Sequence, residues 1–174
     1  MVELQSNHAL WASSFAQAAG DISAALVGRV DAIEHIGSTA VPGLPAKPII
    51  DMAARSACGA DPFGMGEALE GLGFALHGAG PKNHAVYVRS VDGRRTHILH
   101  VFREDQWPQC NQRLFRDKLL HDEDARRRYQ QLKEEIAATT EGRAYTAAKS
   151  SLIQELLDEE RQRRGLPPVT AWDK

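Results

Sequence analysis

The chain has 174 residues, of which 43% are hydrophobic and 25% are charged, and its formal net charge is −2. This length and composition predict a folded protein with one core and exclude a disordered or fibrous chain. The slightly acidic balance argues against a general nucleic-acid binder, although it leaves room for a local basic pocket. We expect a cytoplasmic protein with no membrane segment, because no apolar run approaches the roughly 20 residues of a bilayer span and no secretory signal opens the chain.

The first part of the chain predicts one helix and two strands. Apolar residues between Trp11 and Leu26 recur at three- and four-residue steps, which places them on one face of an opening helix that ends near Gly28. Two apolar runs, 32–36 and 48–54, predict the first two strands of a sheet.

A short helix over 63–72 and a glycine-rich loop precede a predicted hairpin. The runs 84–91 and 94–102 are strand-like and flank the dipeptide Asp92-Gly93. This dipeptide accepts the positive φ angles of a two-residue hairpin turn, so we expect the two runs to pair.

From Pro108 onward the periodicity is helical. Pro108 suits a first helical turn, Asp122 is placed to cap the next helix, and a Gly-Leu-Pro-Pro segment ends the last helix. The architecture implied is α+β, with a small mixed sheet from residues 32–102 and a helical C-terminal half packed against it. We expect a single domain over 1–174, in which about 166–174 form a C-terminal tail.

Residues 35–51, with the sequence HIGSTAVPGLPAKPIID, are the segment best suited to chemistry. Gly37 tolerates backbone angles that other residues resist, and Ser38 adds a hydroxyl beside exposed backbone N–H groups, a combination that suits a phosphate. Lys47 and Asp51 would then face one anion and its metal. The alternatives are an ordinary Gly-Ser turn and an Asp51 that forms a structural ion pair, for instance with Lys47 or Arg116.

This segment resembles the signature of the GrpB family, a group of small proteins whose fold resembles the nucleotidyltransferase superfamily. The likeness extends over nearly the whole chain, because further segments resemble GrpB motifs in the expected order: RTHILHV at 95–101, LFRD at 114–117, Tyr129 with Lys133, and Tyr145 with Lys149. The resemblance implies a nucleotidyltransferase-like α+β fold.

In the superfamily, a Gly-Ser turn precedes a strand that carries two carboxylates in the order acid, apolar, acid, and this pair holds the metal ions of phosphoryl transfer. Gly37-Ser38 and Asp51 match the pattern, so the resemblance implies that Asp51 lies at the metal position. The second acidic position is Ala53. One carboxylate is a poor anchor for two cations, which favours a protein that kept the cleft and lost catalysis.

Strand alternation separates the two histidines of the second hairpin strand. His100 shares a face with Ile98 and Phe102, whereas His97 lies on the other face, so the two cannot ligate one metal. By the resemblance, His100 stands on the strand where nucleotidyltransferases carry a third carboxylate, and we expect it in the cleft as a metal ligand or proton carrier. We expect His35 to orient the Gly-Ser turn by a backbone hydrogen bond, with metal binding or acid-base chemistry as the alternative.

The helical half supplies cations for a phosphate. Tyr129 and Lys133 are four residues apart, as are Tyr145 and Lys149, so each pair lies on one helix face and can present a phenol and an ammonium to one ligand. The alternative is that the tyrosines lie in the core and the lysines extend to water.

Arginines form the other cationic candidates. Arg116 is a candidate phosphate clamp, while the neighbouring Asp117 diverges from it by about 100° on a helix and caps or pairs elsewhere. The arginine-rich runs 126–128 and 161–164 are most simply solvated helix faces.

Two hypotheses follow for function. The first is a nucleotidyltransferase-like protein that binds a nucleotide or related phosphorylated small molecule between the Gly-Ser turn and the C-terminal helices. As an enzyme, it would use Asp51 and His100 to hold Mg²⁺ or Mn²⁺, with lysines and Arg116 neutralising charge during nucleotidyl transfer. The second is a catalytically inactive module that binds a nucleotide or a coenzyme A precursor, because some GrpB-like domains resemble a segment fused to dephospho-CoA kinases.

Overall fold

A computed structural model describes the backbone of residues 4–138 and 142–170, and their side chains except at 136 and 142–148. The helices and strands, in chain order, are α1 (His8–Ala25), β1 (Val30–Ile36), β2 (Ile50–Ser56), α2 (Gly66–Glu70), β3 (Phe74–Leu76), β4 (Ala85–Val91), β5 (Arg94–Phe102), α3 (Asn111–His121), α4 (Glu123–Ala138) and α5 (Gly142–Arg163). The predicted α+β class is confirmed. None of the described helices is long and apolar enough to cross a bilayer.

The strands form one mixed sheet in the order β1-β2-β5-β4-β3. β2 and β5 run parallel at its centre, with Asp51 opposite Ile98 and Ala53 opposite His100, and the other neighbouring pairs are antiparallel. The predicted hairpin joins β4 to β5. Its turn residues have φ angles of 50° at Asp92 and 74° at Gly93, the positive values that this dipeptide was expected to adopt.

The two faces of the sheet have different surroundings. One face packs on α1 and α2 in an apolar core that is built from side chains such as Ile22, Leu26, Met52, Tyr87 and Leu99. The C-terminal helices lie over the other face and have a core of their own, which includes Val41, Phe115, Leu119, Tyr129 and Leu156. Asp51, His100 and their same-face neighbours point toward these helices.

The ends of the C-terminal helices follow the expected chemistry in part. The Asp122 carboxylate accepts a hydrogen bond of 2.9 Å from the Ala125 N–H and so caps α4, as predicted. Gly165, with φ of 68°, follows α5, and the Leu166 N–H donates to the Arg161 carbonyl at 2.8 Å. Pro108 differs from the prediction, because it lies in a separate 3-10 turn before α3.

A buried carboxylate, Glu160, ties the end of α5 to α3. It is fully buried and accepts hydrogen bonds from His121, Arg163 and Arg164 at 2.6 to 3.0 Å. Arg164 also pairs with Asp117 of α3 at 2.8 Å. Burial alone would raise the pKa of Glu160, but hydrogen bonds from Arg163, Arg164 and His121 outweigh it and lower the pKa to about 2.

Replacing Glu160 with Gln should lower the free energy of unfolding at pH 7 by about 2 kcal/mol, because His121, Arg163 and Arg164 lose a buried, charged acceptor. The folded-state pKa of about 2 lies below the ordinary value of 4.5, so the carboxylate stabilises the fold above pH 4.5 and loses this effect as the pH falls toward 2. Urea unfolding between pH 7 and pH 3 measures the difference. The matched control is Glu155→Gln, which removes an exposed pair with Arg128 and should cost less than about 0.5 kcal/mol.

An effect of Glu160→Gln that equals the effect of Glu155→Gln, or that does not shrink in acid, would contradict the assignment of this carboxylate as a stabilising anion.

Candidate functional site

A cleft of about 1310 Å³ opens between the sheet and the C-terminal helices. Six of the candidate residues line it: Ser38, Lys47, Asp51, His100, Lys133 and Lys149. They come from the segment 35–51, β5, α4 and α5, so the fold brings together side chains that are up to about a hundred residues apart in sequence. Gly37, His35 and Arg116 are not among the described residues that line the cleft.

Gly37 packs directly against Asp51. Its backbone has φ of 72° and ψ of −173°, a region that is essentially restricted to glycine. A Cβ atom at this position would lie 2.6 Å from Oδ2 and 3.0 Å from Cβ of Asp51. Gly37 therefore allows the turn to approach the carboxylate, and Ser38 follows as the first residue of the 3-10 turn Ser38–Ala40.

His35 supports this turn from the opposite face of the sheet. Its Nε2 lies 2.9 Å from the Thr39 hydroxyl, which in turn donates to the Ile49 carbonyl at 3.3 Å. The ring stacks on Phe15 of α1 at 4.8 Å. Burial, followed by the nearby charges of His8 and Arg116, lowers the pKa of His35 to about 4, so the ring is neutral.

The expected backbone hydrogen bond of His35 is replaced by a bond to a side-chain hydroxyl. The ring faces α1 and lies outside the described cleft lining, so it is not placed to bind a metal in the cleft.

Arg116 takes part in an ion-pair network between β1 and α3. Its guanidinium contacts Glu34 at 2.8 Å and Asp117 at 2.7 Å, and it donates to the His35 carbonyl at 2.9 Å. Arg113 pairs with the same Glu34 at 3.0 Å. Arg116 and Asp117 thus contact each other, which the expected divergence did not predict, while Asp117 also pairs elsewhere, with Arg164, as expected. Arg116 is engaged by two carboxylates outside the described cleft lining.

The two lysines of the helical half differ in their surroundings. Lys133 is buried, and its ammonium donates to the Pro45 carbonyl at 2.6 Å and lies 5.6 Å from the centre of the Tyr129 ring. It therefore ties α4 to the β1–β2 loop while facing the cleft, and the alternative in which it extends to water is wrong. Lys149 lines the cleft from α5, half-buried. The side chain of its predicted partner Tyr145 lies outside the described residues.

His100 has a partner that the sequence did not reveal. His84 is 4% exposed, and its Nε2 lies 3.0 Å from Nδ1 of His100. Its other ring nitrogen lies 2.9 Å from the side-chain oxygen of Asn83. Burial lowers the pKa of His84 to about 4. The only sequence signal was position, because His84 falls at the start of the strand that pairs with the strand of His100.

The side chain of Ala53 points in the direction that the resemblance implies, but it is not exposed to the cleft. It lies two residues after Asp51 on the same face of β2, opposite His100. It is fully buried beneath an apolar cluster that contains Ile36, Phe102, Trp107 and Cys110. Within the described residues, no three His, Cys, Asp or Glu side chains are grouped closely enough to hold a metal ion.

The lining of the cleft is basic, whereas the protein as a whole is slightly acidic. Among the described lining residues there are five cationic side chains, Lys47, Arg95, Lys133, Lys149 and Arg161, and two carboxylates, Asp51 and Asp105. The described part of the lining therefore carries an excess of positive charge, while the whole chain has a net charge of −2. This arrangement attracts an anionic ligand.

Arg161 is a cationic residue of the cleft lining, although the sequence pattern favoured a solvated helix face for it. It is 2% exposed and donates to oxygens of Gln109, Asn111 and Pro167 at 2.6 to 3.4 Å. No carboxylate of the described residues pairs with it. The run 161–164 was interpreted as a solvated face, and for Arg161 this interpretation is wrong, because the chain reverses after Gly165 and covers it.

Comparison with known proteins gives one family and several relatives. The family model for the GrpB protein matches residues 1–159. A UPF0157 protein of Pseudomonas aeruginosa is 37% identical over 155 residues, which is 84% of this chain and 62% of that protein. A UPF0157 protein of Halalkalibacterium halodurans is 34% identical over 152 residues, which is 84% of this chain and 76% of that protein. The chain thus spans less than two thirds of the Pseudomonas relative.

A solved structure has the same fold. The crystal structure of the conserved protein GrpB from Enterococcus faecalis superposes with a TM-score of 0.78, covering 94% of this chain and 99% of that one. The two sequences are 23% identical, so the likeness concerns the fold alone.

Proposed function

The chain belongs to the GrpB family, and we propose that it uses the cleft to bind a phosphorylated small molecule, with a nucleotide as the leading candidate. The observation that carries this proposal is the excess of cationic side chains in the cleft of a protein whose net charge is −2. A site that concentrates positive charge in a protein of the opposite sign selects an anionic ligand.

The apolar residues of the cleft lining suit the part of such a ligand that carries no phosphate. Val86, Val88, Ile98 and Phe102 form an apolar strip along the sheet, beside the histidine pair. Sites for small molecules combine apolar walls with a few polar groups, and their usual volumes are about 300–1,000 Å³. The volume of about 1310 Å³ is sufficient for a nucleotide.

A resident pair of metal ions fits this cleft poorly. Mg²⁺ or Mn²⁺ would be held by Asp51 and His100, but position 53 supplies no second carboxylate and is covered by apolar side chains. Two cations need more anionic oxygens than one aspartate provides. We therefore favour a binding module over metal-dependent nucleotidyl transfer, although the Gly-Ser turn beside Asp51 belongs to the transferase resemblance.

Calorimetric titration with ATP, ADP and AMP tests the proposal, each with and without Mn²⁺. Replacing Lys149 with Met should weaken binding about tenfold, which corresponds to about 1.4 kcal/mol, because the ligand loses a cation in a partly desolvated site. The matched control is Lys82→Met, which removes an exposed lysine outside the cleft lining and should change the affinity less than twofold. Urea unfolding of each variant checks that the fold persists.

Binding should also weaken as salt is added, because screening reduces the attraction between the cleft and the phosphates. The proposal fails if none of the three nucleotides binds, or if the Lys149 and Lys82 variants lose affinity equally. Release of pyrophosphate from ATP in the presence of Mn²⁺ would favour nucleotidyl transfer instead.

A further inference from the structure

One part of the cleft lining lies at the start of α3, where a buried arginine has only neutral partners. Arg161 is 2% exposed. Its guanidinium donates to the Pro167 carbonyl at 2.6 Å, to the carbonyl and side-chain oxygens of Gln109 at 3.4 and 3.2 Å, and to the Asn111 side-chain oxygen at 2.9 Å. These are four acceptors for five N–H groups. In the described part of the chain, one N–H group of Arg161 therefore has no partner, and neutral oxygens alone surround its charge.

Two carboxylates of this region are already bound to other cations. Glu160, the neighbour of Arg161 on α5, accepts hydrogen bonds from a histidine and two arginines. Asp105, which lines the cleft, binds Arg103 at 3.0 and 3.2 Å. A buried charge without a counter-ion is destabilising, so an anion that enters the cleft from solution would stabilise Arg161.

Arg161 also determines which way two amide groups point. A guanidinium can only donate, so the side-chain atoms of Gln109 and Asn111 that face it must be their oxygens. The amide nitrogens of both residues are therefore turned away from Arg161. Both side chains line the cleft, and their nitrogens have no acceptor among the described residues.

A third amide of the same segment, that of Gln112, is buried. The residue is 8% exposed and its side chain lines the cleft. Its oxygen lies 3.5 Å from Sγ of Cys110, while its nitrogen has no described acceptor. Within the described residues, Nδ1 of His8 is the one buried side-chain atom that is both covered and unbonded. The nitrogen of Gln112 therefore reaches open space, and the cleft is the space that this side chain lines.

The backbone adds further donors at the same place. α3 has 11 residues, and its N-cap residue Cys110 forms no capping hydrogen bond with its side chain. The hydrogen bonds at this helix end begin with the Arg113 N–H, which donates to the Cys110 carbonyl at 3.1 Å. The first N–H groups of a helix have no acceptor within it and carry the positive end of its dipole. The N–H groups of Asn111 and Gln112 therefore remain donors.

We propose that this part of the cleft is an oxyanion subsite that takes a phosphate group. It is formed by the first N–H groups of α3 and by four side chains, Arg161, Gln109, Asn111 and Gln112. Every group of this set that lacks a partner is a donor, and a phosphate ester offers three strong acceptor oxygens and a negative charge. A carboxylate has related chemistry but only two oxygens, so the number of donors favours phosphate.

The subsite implies a ligand with two phosphate groups, and this step rests on the proposed function. Lys149 and Arg161 are twelve residues apart on α5, which corresponds to about 18 Å along the helix axis. The cleft therefore has two separate cationic positions. A nucleotide that carries a second phosphate on its sugar can place one phosphate group near each of them.

Inorganic phosphate is the probe for the subsite itself. During a phosphate titration of ¹⁵N-labelled protein, the side-chain amide resonances of Gln109, Asn111 and Gln112 should shift with one common affinity. The amide resonance of Gln131 should not shift, because this exposed residue of α4 binds Glu135 instead.

Two substitutions test the donors. Gln112→Met keeps an unbranched side chain and removes the amide, and it should weaken phosphate binding about fivefold. Arg161→Gln removes the charge and should weaken binding more than tenfold. The matched control is Gln131→Met, which should leave the affinity unchanged. Urea unfolding checks each variant, and if Arg161→Gln does not fold, the Gln112 variant decides the question.

The subsite is overturned if phosphate shifts the amide of Gln131 as strongly as that of Gln112, or if Gln112→Met and Gln131→Met have equal effects. It is also overturned if phosphate leaves all of these resonances unchanged. Acetate serves as the carboxylate probe, and acetate that binds as tightly as phosphate would overturn the assignment to phosphate.

Calorimetric titration with AMP and with adenosine 3′,5′-bisphosphate tests the ligand class. The wild type should bind the bisphosphate about tenfold more tightly, and Gln112→Met should reduce this advantage. Equal binding of the two nucleotides to the wild type overturns the assignment of a ligand with two phosphate groups. If neither nucleotide binds, the proposed function fails for these nucleotides, while the titration with inorganic phosphate still decides the subsite.

Discussion

An Ala53→Asp substitution should lower the free energy of unfolding by about 4 kcal/mol, because it places a carboxylate in a fully buried apolar position. The new side chain would pack among the apolar side chains of Phe102, Trp107 and Cys110 and would lie opposite Glu34 of β1, a residue of like charge. A carboxyl group in such surroundings either remains charged at a high desolvation cost or becomes neutral through a raised pKa, and both outcomes destabilise the fold at pH 7.

Urea unfolding at pH 7, with and without Mn²⁺, measures this effect. The matched control is Ala75→Asp, which makes the same change at an exposed position of β3 and should cost about 1 kcal/mol or less. The nucleotidyltransferase resemblance leads to the opposite result, in which a second carboxylate beside Asp51 tightens metal binding. A folded Ala53→Asp protein that binds Mn²⁺ more tightly than the wild type would therefore favour metal-dependent nucleotidyl transfer over the binding module.

Local patterns were sufficient to predict most of the helices and strands. The apolar period of α1 and the Asp92-Gly93 turn are properties of neighbouring residues, so the sequence carries them directly. β3 was missed because it has three residues, too few to show alternation, and it is defined by pairing with β4. Pro108 was predicted to begin α3 because the fixed φ angle and missing N–H of a proline suit the first turn of an α-helix and of a 3-10 turn equally.

Features of the candidate site could be predicted from the sequence only where a single strand or turn determines which way a side chain points. Alternation along β5 separated His100 from His97, and the Gly-Ser turn was recognised beside Asp51. The partners of charged side chains depend on tertiary packing, which a linear pattern does not contain. The pairing of Arg116 with Glu34 is therefore a finding of the structure.

The same reason explains why Arg161 and His84 were not recognised. Arg161 is covered because the chain turns back after Gly165, and its donors reach oxygens about 50 residues away in sequence as well as Pro167. His84 meets His100 only because β4 and β5 pair in one register. In both cases the sequence shows which chemical group the side chain carries, but not which residues surround it in the fold.

Gly37→Ala should lower the free energy of unfolding by about 3 kcal/mol and abolish ligand binding in the cleft. The backbone at Gly37 has φ of 72° and ψ of −173°, where any Cβ is strained by about 1–3 kcal/mol. The added methyl group would also lie 2.6 Å from Oδ2 of Asp51 and 3.0 Å from its Cβ, so the turn and β2 must separate. The separation would displace Ser38 and the Asp51 carboxylate from each other, and both side chains line the cleft.

Gly43→Ala is the matched control for this prediction, because Gly43 lies in the same loop with φ of 78° and an added Cβ would have no atom of the described residues within 4 Å. It should show the cost of a positive φ angle without the overlap, about 1 kcal/mol, and should leave nucleotide affinity unchanged. Combining Gly37→Ala with Asp51→Ala removes the clashing oxygen, so the double variant should be more stable than the sum of the single changes predicts. Additive effects, or equal losses from Gly37→Ala and Gly43→Ala, would show that contact with Asp51 is not what requires glycine at position 37.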